Sequence, residues 1–296
     1  MPENNVSKDP SLHVGDMTRE DDLHEVIAQA IALFEMSDDE FEDAASAFVV
    51  KRMAELSNGA STEFMTNKTK GTEDFIVPER PQEITGIMTK SFLMDDPELY
   101  VKEISWVRHQ FKELQSSNPE FTEDKTYMNA ALRGTLVGQW EYFGSYVGDK
   151  NKLVRATADI LDDEDGLVSG YVSIADIGAG AICQQRGSAV HNALRILGIN
   201  SKFETGDLSE ISGNKVNEPE RHAYVVITRG GKRLLFDPTN PILTIKEDEG
   251  VTWLSPQIAE IPEGADAIDI ELPEVVTRND GTKQRHIAHT LRYMFN

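Results

Sequence analysis

Cys183 is the single cysteine of a 296-residue chain. It stands where the glycine-broken segment GAGAI gives way to the helical pattern of CQQRGSAVHNALRILGI. A thiol in the first turn of a helix lies beside orphan N–H groups and the positive end of the helix dipole, and both favour the thiolate. The same N–H groups can hold an oxyanion. Ala189, Val190, Ala193, Leu194 and Leu197 form the apolar face of this helix, and Gly198 is its natural stop. Gly187, one turn after the cysteine, leaves room for a backbone or a substrate to come close. Position alone does not separate a nucleophile from a buried inert thiol, the commoner state of a lone cysteine.

Two residues downstream complete a candidate site. His222, in ERHAYVVITR, opens a strand on which Tyr224 and Val226 share its face. Asp237, in LLFDPTNP, closes the next strand. A turn centred within Arg229–Lys232 sets Asp237 directly opposite His222, or diagonal to it on the same face at about 7–8 Å. A slip of one residue places them on opposite faces. A carboxylate on one imidazole nitrogen orients the ring and leaves the other to take the thiol proton, which is the logic of a Cys-His-Asp triad. Spacing along the chain does not bring the cysteine helix across the hairpin.

GAGAICQQRGSAVHNALRILGI, HAYVVI and FDPTNP, in that order, resemble the transglutaminase-like superfamily of papain-like thiol enzymes. The matching stretch spans residues 170–245, about a quarter of the chain. The resemblance implies an α+β fold in which the cysteine helix packs on an antiparallel sheet. It implies Cys183 as nucleophile, His222 as general base and acid, and Asp237 as the orienting group. The implied chemistry is acyl transfer from an amide, either a peptide bond or a glutamine carboxamide of a protein, through a cysteinyl thioester. Water as acceptor makes a peptidase or deamidase, and an amine makes a transglutaminase. Neither a metal nor an organic cofactor is needed. QQR follows Cys183 where many relatives carry an aromatic or acidic residue. Gln139 and Trp140 have the chemistry of side-chain oxyanion donors, but nothing in their spacing selects them. A reading from another class is a binding or scaffold protein that keeps this fold without activity.

The elements that must position these residues divide by character. Residues 1–16 read as a polar, disordered tail. Residues 17–150 read as a mainly helical region. Leu23, Ile27, Ile31 and Phe34 recur at helical spacing, and Ser37 with Glu40 forms a capping box. The helix after it carries Phe41, Ala45, Phe48, Val49, Met53 and Leu56. Residues 58–90 are polar and broken by Gly and Pro, as in a linker. Helical periodicity resumes at Tyr100, Ile104, Val107, Phe111 and Leu114, then at Leu132, Leu136, Trp140, Phe143 and Val147. Gly134, Gly138 and Gly144 weaken that last helix. Residues 151–296, starting with a short helix at 151–161, form the expected catalytic domain. GINSKFETGDL reads as a strand, HAYVVITRGGKRLLF as a hairpin, and AIDIELPEVV with QRHIAHTLRYMF as another about an Asn-Asp-Gly turn. The helical half matches no extension of the family. It reads as a partner surface in the scaffold case, or as an inhibitory or substrate-recruiting domain of the enzyme.

Composition narrows the partners. With 51 Asp and Glu against 29 Lys and Arg, the net charge is −22, a field that repels nucleic-acid backbones. The expected partner is a protein or peptide substrate, neutral or basic, and not nucleic acid or membrane. No apolar run approaches the ~20 residues of a membrane span, and the first residues lack the apolar stretch of a signal peptide. One cysteine fits a reducing compartment, so a cytoplasmic location is expected, with signal-less export open. Other motifs fall away. His286 and His289 in HIAH read as exposed strand residues. DDEDG (162–166) lacks the terminal acidic ligands of a calcium loop. His191 lies two turns from Cys183 along its helix, too far to be the base.

Overall fold

The computed structural model describes residues 20–56, 82–84, 87–94, 97–144, 167–173, 181, 183–213, 215–246 and 249–295. The expected tail at 1–16, the helix at 151–161, the turn at 162–166 and the GAG at 178–180 lie outside these residues, as do Val147 and residues 58–81 of the linker. The fold class is α+β. The described helices are α1 (Glu20–Glu35), α2 (Asp38–Leu56), α3 (Pro97–Ser117), α4 (Glu123–Phe143) and α5 (Cys183–Ile196).

Local signals set the helix ends. Before α2, the Ser37 hydroxyl bonds the Glu40 carboxylate at 2.6 Å while the Ser37 carbonyl accepts the Phe41 N–H, so the Ser-x-x-Glu pattern marks a helix start. Thr122 caps α4 by accepting the Lys125 N–H at 3.3 Å. Gly198, at φ +77°, ends α5, and the Ile199 N–H folds back to the Leu194 carbonyl at 2.8 Å, a Schellman closure. Tyr100, Ile104, Val107, Phe111 and Leu114 are all buried on α3. On α1 the buried set is Val26, Ala30, Leu33 and Phe34, with Ile27 and Ile31 at its margin. Phe34 of the expected stripe, with Val26 and Ala30 beside it, is therefore buried, while Ile27 and Ile31 are partly so.

α4 runs unbroken through Gly134 and Gly138, which argue against it locally, and ends before Gly144, at φ +70°. A Cβ on Gly134 would stand 2.4 Å from the Val107 backbone, and one on Gly138 would stand 3.1 Å from Glu103 Cα. Backbone contact between α3 and α4 thus depends on missing side chains. Replacing Gly134 by Ala gains about 1 kcal/mol of helix propensity, but it forces the helices apart in a filled core. We expect a net loss of about 1–3 kcal/mol, read from the urea midpoint. An unchanged midpoint would show that separating the helices costs no more than the propensity gained, about 1 kcal/mol.

Strands β1 (Gln82–Ile84), β2 (Ile87–Met94) and β3 (Leu167–Ser173) form a small sheet, with β2 parallel to β3. Part of the expected 58–90 linker is therefore strand. Its partner lies some 80 residues downstream, and a local reading holds no trace of such a pairing. The large sheet contains β4 (Ser201–Ser212), β5 (Lys215–Val216), β6 (Glu220–Arg229), β7 (Lys232–Phe236), β8 (Ile242–Lys246), β9 (Gly250–Ser255), β10 (Ile258–Ile261), β11 (Ala267–Thr277) and β12 (Lys283–Met294). Its order is β10-β7-β6-β4-β12-β11-β8-β9, with β5 paired to β4. The sheet is mixed where an antiparallel one was expected, because β8 runs parallel to β11. The chain between those two strands, residues 247–266, is long enough for the crossover that a parallel pair requires.

β6 is buried on both faces. Val225 and Ile227 join a core shared with all five helices, while Tyr224 and Val226 join a second core with Leu235, Ile270, Leu291 and Tyr293. The first core contains Phe34, Val49, Ile104 and Leu136 together with Val190, Leu194 and Phe236. The boundary at 150/151 is thus one of sequence character, and the packing crosses it.

Candidate functional site

α5 lies between the other helices and the sheet, against α2, α3 and α4 on one side and β4 and β6 on the other. Apart from Arg195, every α5 residue with a described side chain is buried. Its polar groups therefore find partners inside the protein. Asn192 donates to the Tyr100 hydroxyl at 3.1 Å, and His191 Nδ1 lies 2.9 Å from Ser201 Oγ. At the far end, the Ile196 carbonyl accepts from Arg52 Nε at 3.2 Å and the Leu197 carbonyl from the Tyr127 hydroxyl at 2.6 Å. The cation there also suits the negative end of the helix dipole. His191 is a packed residue away from the cysteine's partners. The space at Gly187 is taken by Phe203, whose ring would stand 3.1 Å from an added Cβ.

The three expected residues come together from three elements. Cys183 opens α5, only 7% exposed. Its sulfur lies close enough to the His222 ring and the Ala223 backbone N–H for both to act on the thiol's ionisation. Val225 pairs with Phe236 and Arg229 with Lys232 across the Gly230-Gly231 turn, both glycines at positive φ. This is the register that makes His222 and Asp237 diagonal neighbours on one face. His222 Nε2 stands 2.7 Å from Asp237 Oδ2, so Nδ1 is the nitrogen left to exchange a proton with the thiol.

Asp237 is the most heavily bonded group of the site. Oδ1 accepts the Thr239 N–H at 2.8 Å and the Thr239 hydroxyl at 2.6 Å. Oδ2 accepts from His222, from Asn240 Nδ2 at 2.7 Å and from the Tyr293 hydroxyl at 2.8 Å. An aspartate bonding the backbone two residues on is the turn chemistry of Asp-Pro-Thr. Tyr293 comes from β12, packs edge-on to His222 at 6.2 Å and to Tyr224 at 5.9 Å, and is fully buried. Its role is absent from the sequence reading, since an aromatic in a C-terminal strand carries no signal of a partner 56 residues upstream.

Burial and charge compete at each group. Burial pushes the Cys183 thiol up, but the His222 hydrogen bond and charge and the Ala223 N–H outweigh it and hold the thiol below its ordinary value. Burial opposes charge on His222 too, yet the Asp237 charge and hydrogen bond, reinforced by Cys183, raise the imidazole to about 10. For Asp237, the His222 charge and the donors of Thr239 and Asn240 overcome burial and keep the carboxyl well below the usual carboxylate range. Burial, followed by the Asp237 charge, raises the Tyr293 hydroxyl well above its ordinary value, so it remains a neutral donor. The arrangement favours a thiolate–imidazolium pair beside a fixed carboxylate.

Gln139 and Trp140 are turned to the chain after Asp237. Gln139 Nε2 and Trp140 Nε1 both donate to the Pro238 carbonyl, at 3.0 and 2.8 Å, on the residue after Asp237. His286 and His289 are exposed and lie beside Glu274 and Glu210. Among the described residues, no cluster of three or more His, Cys, Asp and Glu is placed to hold a metal, and no helix is long and apolar enough to cross a membrane. Comparison with known protein families, curated proteins and solved structures found no match.

Proposed function

We propose that the protein is a cysteine-dependent acyl-transfer enzyme of transglutaminase-like type, acting on an amide of a protein or peptide. The observation that carries this reading is the Cys183 thiol at the start of α5 beside His222, whose Nε2 is held by Asp237 at 2.7 Å. In the reaction, the Cys183 thiolate adds to the carbonyl carbon, forming a C–S bond and an oxyanion. The Cys183 N–H, at the first position of α5 and without an intrahelical partner, is available to that oxyanion. The oxyanion then collapses, the C–N bond breaks, and His222 Nδ1–H gives its proton to the departing amine. Water or an acceptor amine attacks the resulting thioester, returns its proton to His222 and releases the thiolate. Tyr293, Thr239 and Asn240 keep Asp237 an unprotonated acceptor, which fixes His222 with its other nitrogen toward sulfur. No cofactor enters any step.

The burial of Cys183 is the one observation favouring a scaffold without activity. The pH-dependence of iodoacetamide alkylation separates the two readings. The wild-type thiol should titrate well below the ordinary ~8.5, and His222→Ala should return it to that value or above, slowing alkylation at pH 6 by at least ~10-fold. A thiol that is inert, or that titrates alike in both proteins, leaves the scaffold reading in place.

A further inference from the structure

Arg186 stands three residues after Cys183 and is 0% exposed. A guanidinium stays charged, so a fully buried one must be held by hydrogen bonds in several directions. Nε donates to the Ala181 carbonyl at 3.1 Å, Nη1 to Gln139 Oε1 at 3.2 Å and Nη2 to the Phe143 carbonyl at 3.1 Å. The guanidinium carbon also lies 5.7 Å from the Trp140 ring centre and 5.6 Å from that of Phe143.

Each contact has a consequence for the site. Ala181 lies two residues before Cys183, so its bond to Nε fixes the chain entering α5. Gln139 spends its amide N–H on the Pro238 carbonyl, and Trp140 gives its indole N–H to the same oxygen. Pro238 lies between Asp237 and Thr239, whose N–H and hydroxyl hold Asp237 Oδ1. One side chain thus ties the segment leading into the nucleophile to the turn presenting the carboxylate, through the C-terminal end of α4. Arg186, the last residue of the QQR that follows Cys183, turns inward toward the helical half.

We propose that Arg186 is a positioning residue which, with Gln139 and Trp140, sets Cys183 and the Asp237 turn in mutual register, making α4 part of the active site. The proposal rests on the acyl-transfer reading above. The planar fork is what the geometry uses: three directions from one rigid group, where a lysine offers a flexible point charge. Arg186 acts through other groups, so its loss should change how Cys183 and His222 share a proton as well as overall stability.

The test compares the full-length wild type with Arg186→Lys and Gln139→Met. Gln139→Met keeps the volume, removes both amide bonds and leaves the guanidinium in place, so it remains informative if Arg186→Lys fails to fold. For each folded protein, iodoacetamide alkylation of Cys183 is followed from pH 4 to 10, alongside thermal melting. The wild type should show the depressed thiol titration. Both variants should move it up toward the ordinary value and slow alkylation at pH 6 by about 10-fold. Trp140→Phe, which removes only one of the two donors to Pro238, should fall between them and the wild type. Variants that melt earlier but alkylate with the wild-type pH profile would show that the network only supports the fold, overturning this proposal while leaving the acyl-transfer reading intact. An ordinary thiol titration in the wild type itself would overturn both.

Discussion

Asp237→Asn is expected to cost about 10³–10⁴-fold in the rate of thioester formation with little change in overall fold. Every group around the Asp237 side chain is placed as a donor: the Thr239 N–H and hydroxyl on Oδ1, and His222, Asn240 and Tyr293 on Oδ2. The Thr239 N–H must meet an oxygen, so an asparagine there turns its NH₂ toward His222 Nε2. That nitrogen then becomes an acceptor and the ring proton moves to Nδ1, facing the sulfur. A neutral imidazole holding its proton there cannot take the one on the thiol. The measurement is single-turnover acylation by an activated ester or amide, with circular dichroism to confirm folding. A loss below ~10-fold would remove Asp237 from the mechanism.

The pH profile gives an independent check, with each sign fixed by its group. The reactive pair exists above the lowered thiol value and below the raised imidazole value of about 10. Without Asp237, the charge and hydrogen bond that raise His222 are gone, so the upper limb should fall toward the ordinary ~6.5. Melting is the wrong probe for that limb. Stability from the raised imidazole is lost as pH climbs toward 10, while stability from the depressed thiol is gained over much of the same range. On the acid side the sign is simple. The depressed Asp237 carboxyl contributes its full stability above ~3.9 and loses it only as pH falls below that, through its folded value.

Removing residues 1–150 should destroy the fold instead of freeing an inhibited enzyme. Val190, Leu194 and Ile196 on α5, and Leu197 directly after it, are essentially fully buried, in the core built with α1–α4. At about 1.5–3 kcal/mol for each large apolar side chain returned to water, these four alone approach the net stability of a typical domain, ~5–15 kcal/mol. The truncation also strips Arg52 and Tyr127 from the C-terminal end of α5. It removes Gln139 and Trp140 from the turn after Asp237. The truncated chain should be insoluble, or expanded with a thiol titrating as in a peptide. A soluble, cooperatively melting fragment that alkylates faster than the full chain would establish the helical half as an inhibitory domain.

The helices, their caps and the main hairpins were legible because each is encoded locally. Ser37 and Glu40, the α3 stripe from Tyr100 to Leu114, Gly198 after α5 and the paired glycines 230 and 231 act on neighbours within a few residues. The turn placed the hairpin but left two parities open, and the observed pairing of Val225 with Phe236 is what puts His222 and Asp237 on one face. Other features were set by contacts distant in sequence. The glycines of α4 weaken a helix in isolation but permit one against α3. β2 found β3, and β8 lay parallel to β11, through pairings without a local code.

The sequence by itself determined the order of the three candidate residues, the helix start under Cys183 and the hairpin that carries His222 and Asp237. These depend on dipole, turn chemistry and strand alternation, which operate over one or two turns of chain. Tertiary structure alone decided that α5 packs between the other helices and the sheet, so that Arg186 turns inward and binds Gln139. It also decided that Tyr293 closes over Asp237 and that Gln139 and Trp140 hold the turn after it. The physical reason is the same in each case: a buried polar group takes its partner from whatever element the core places against it.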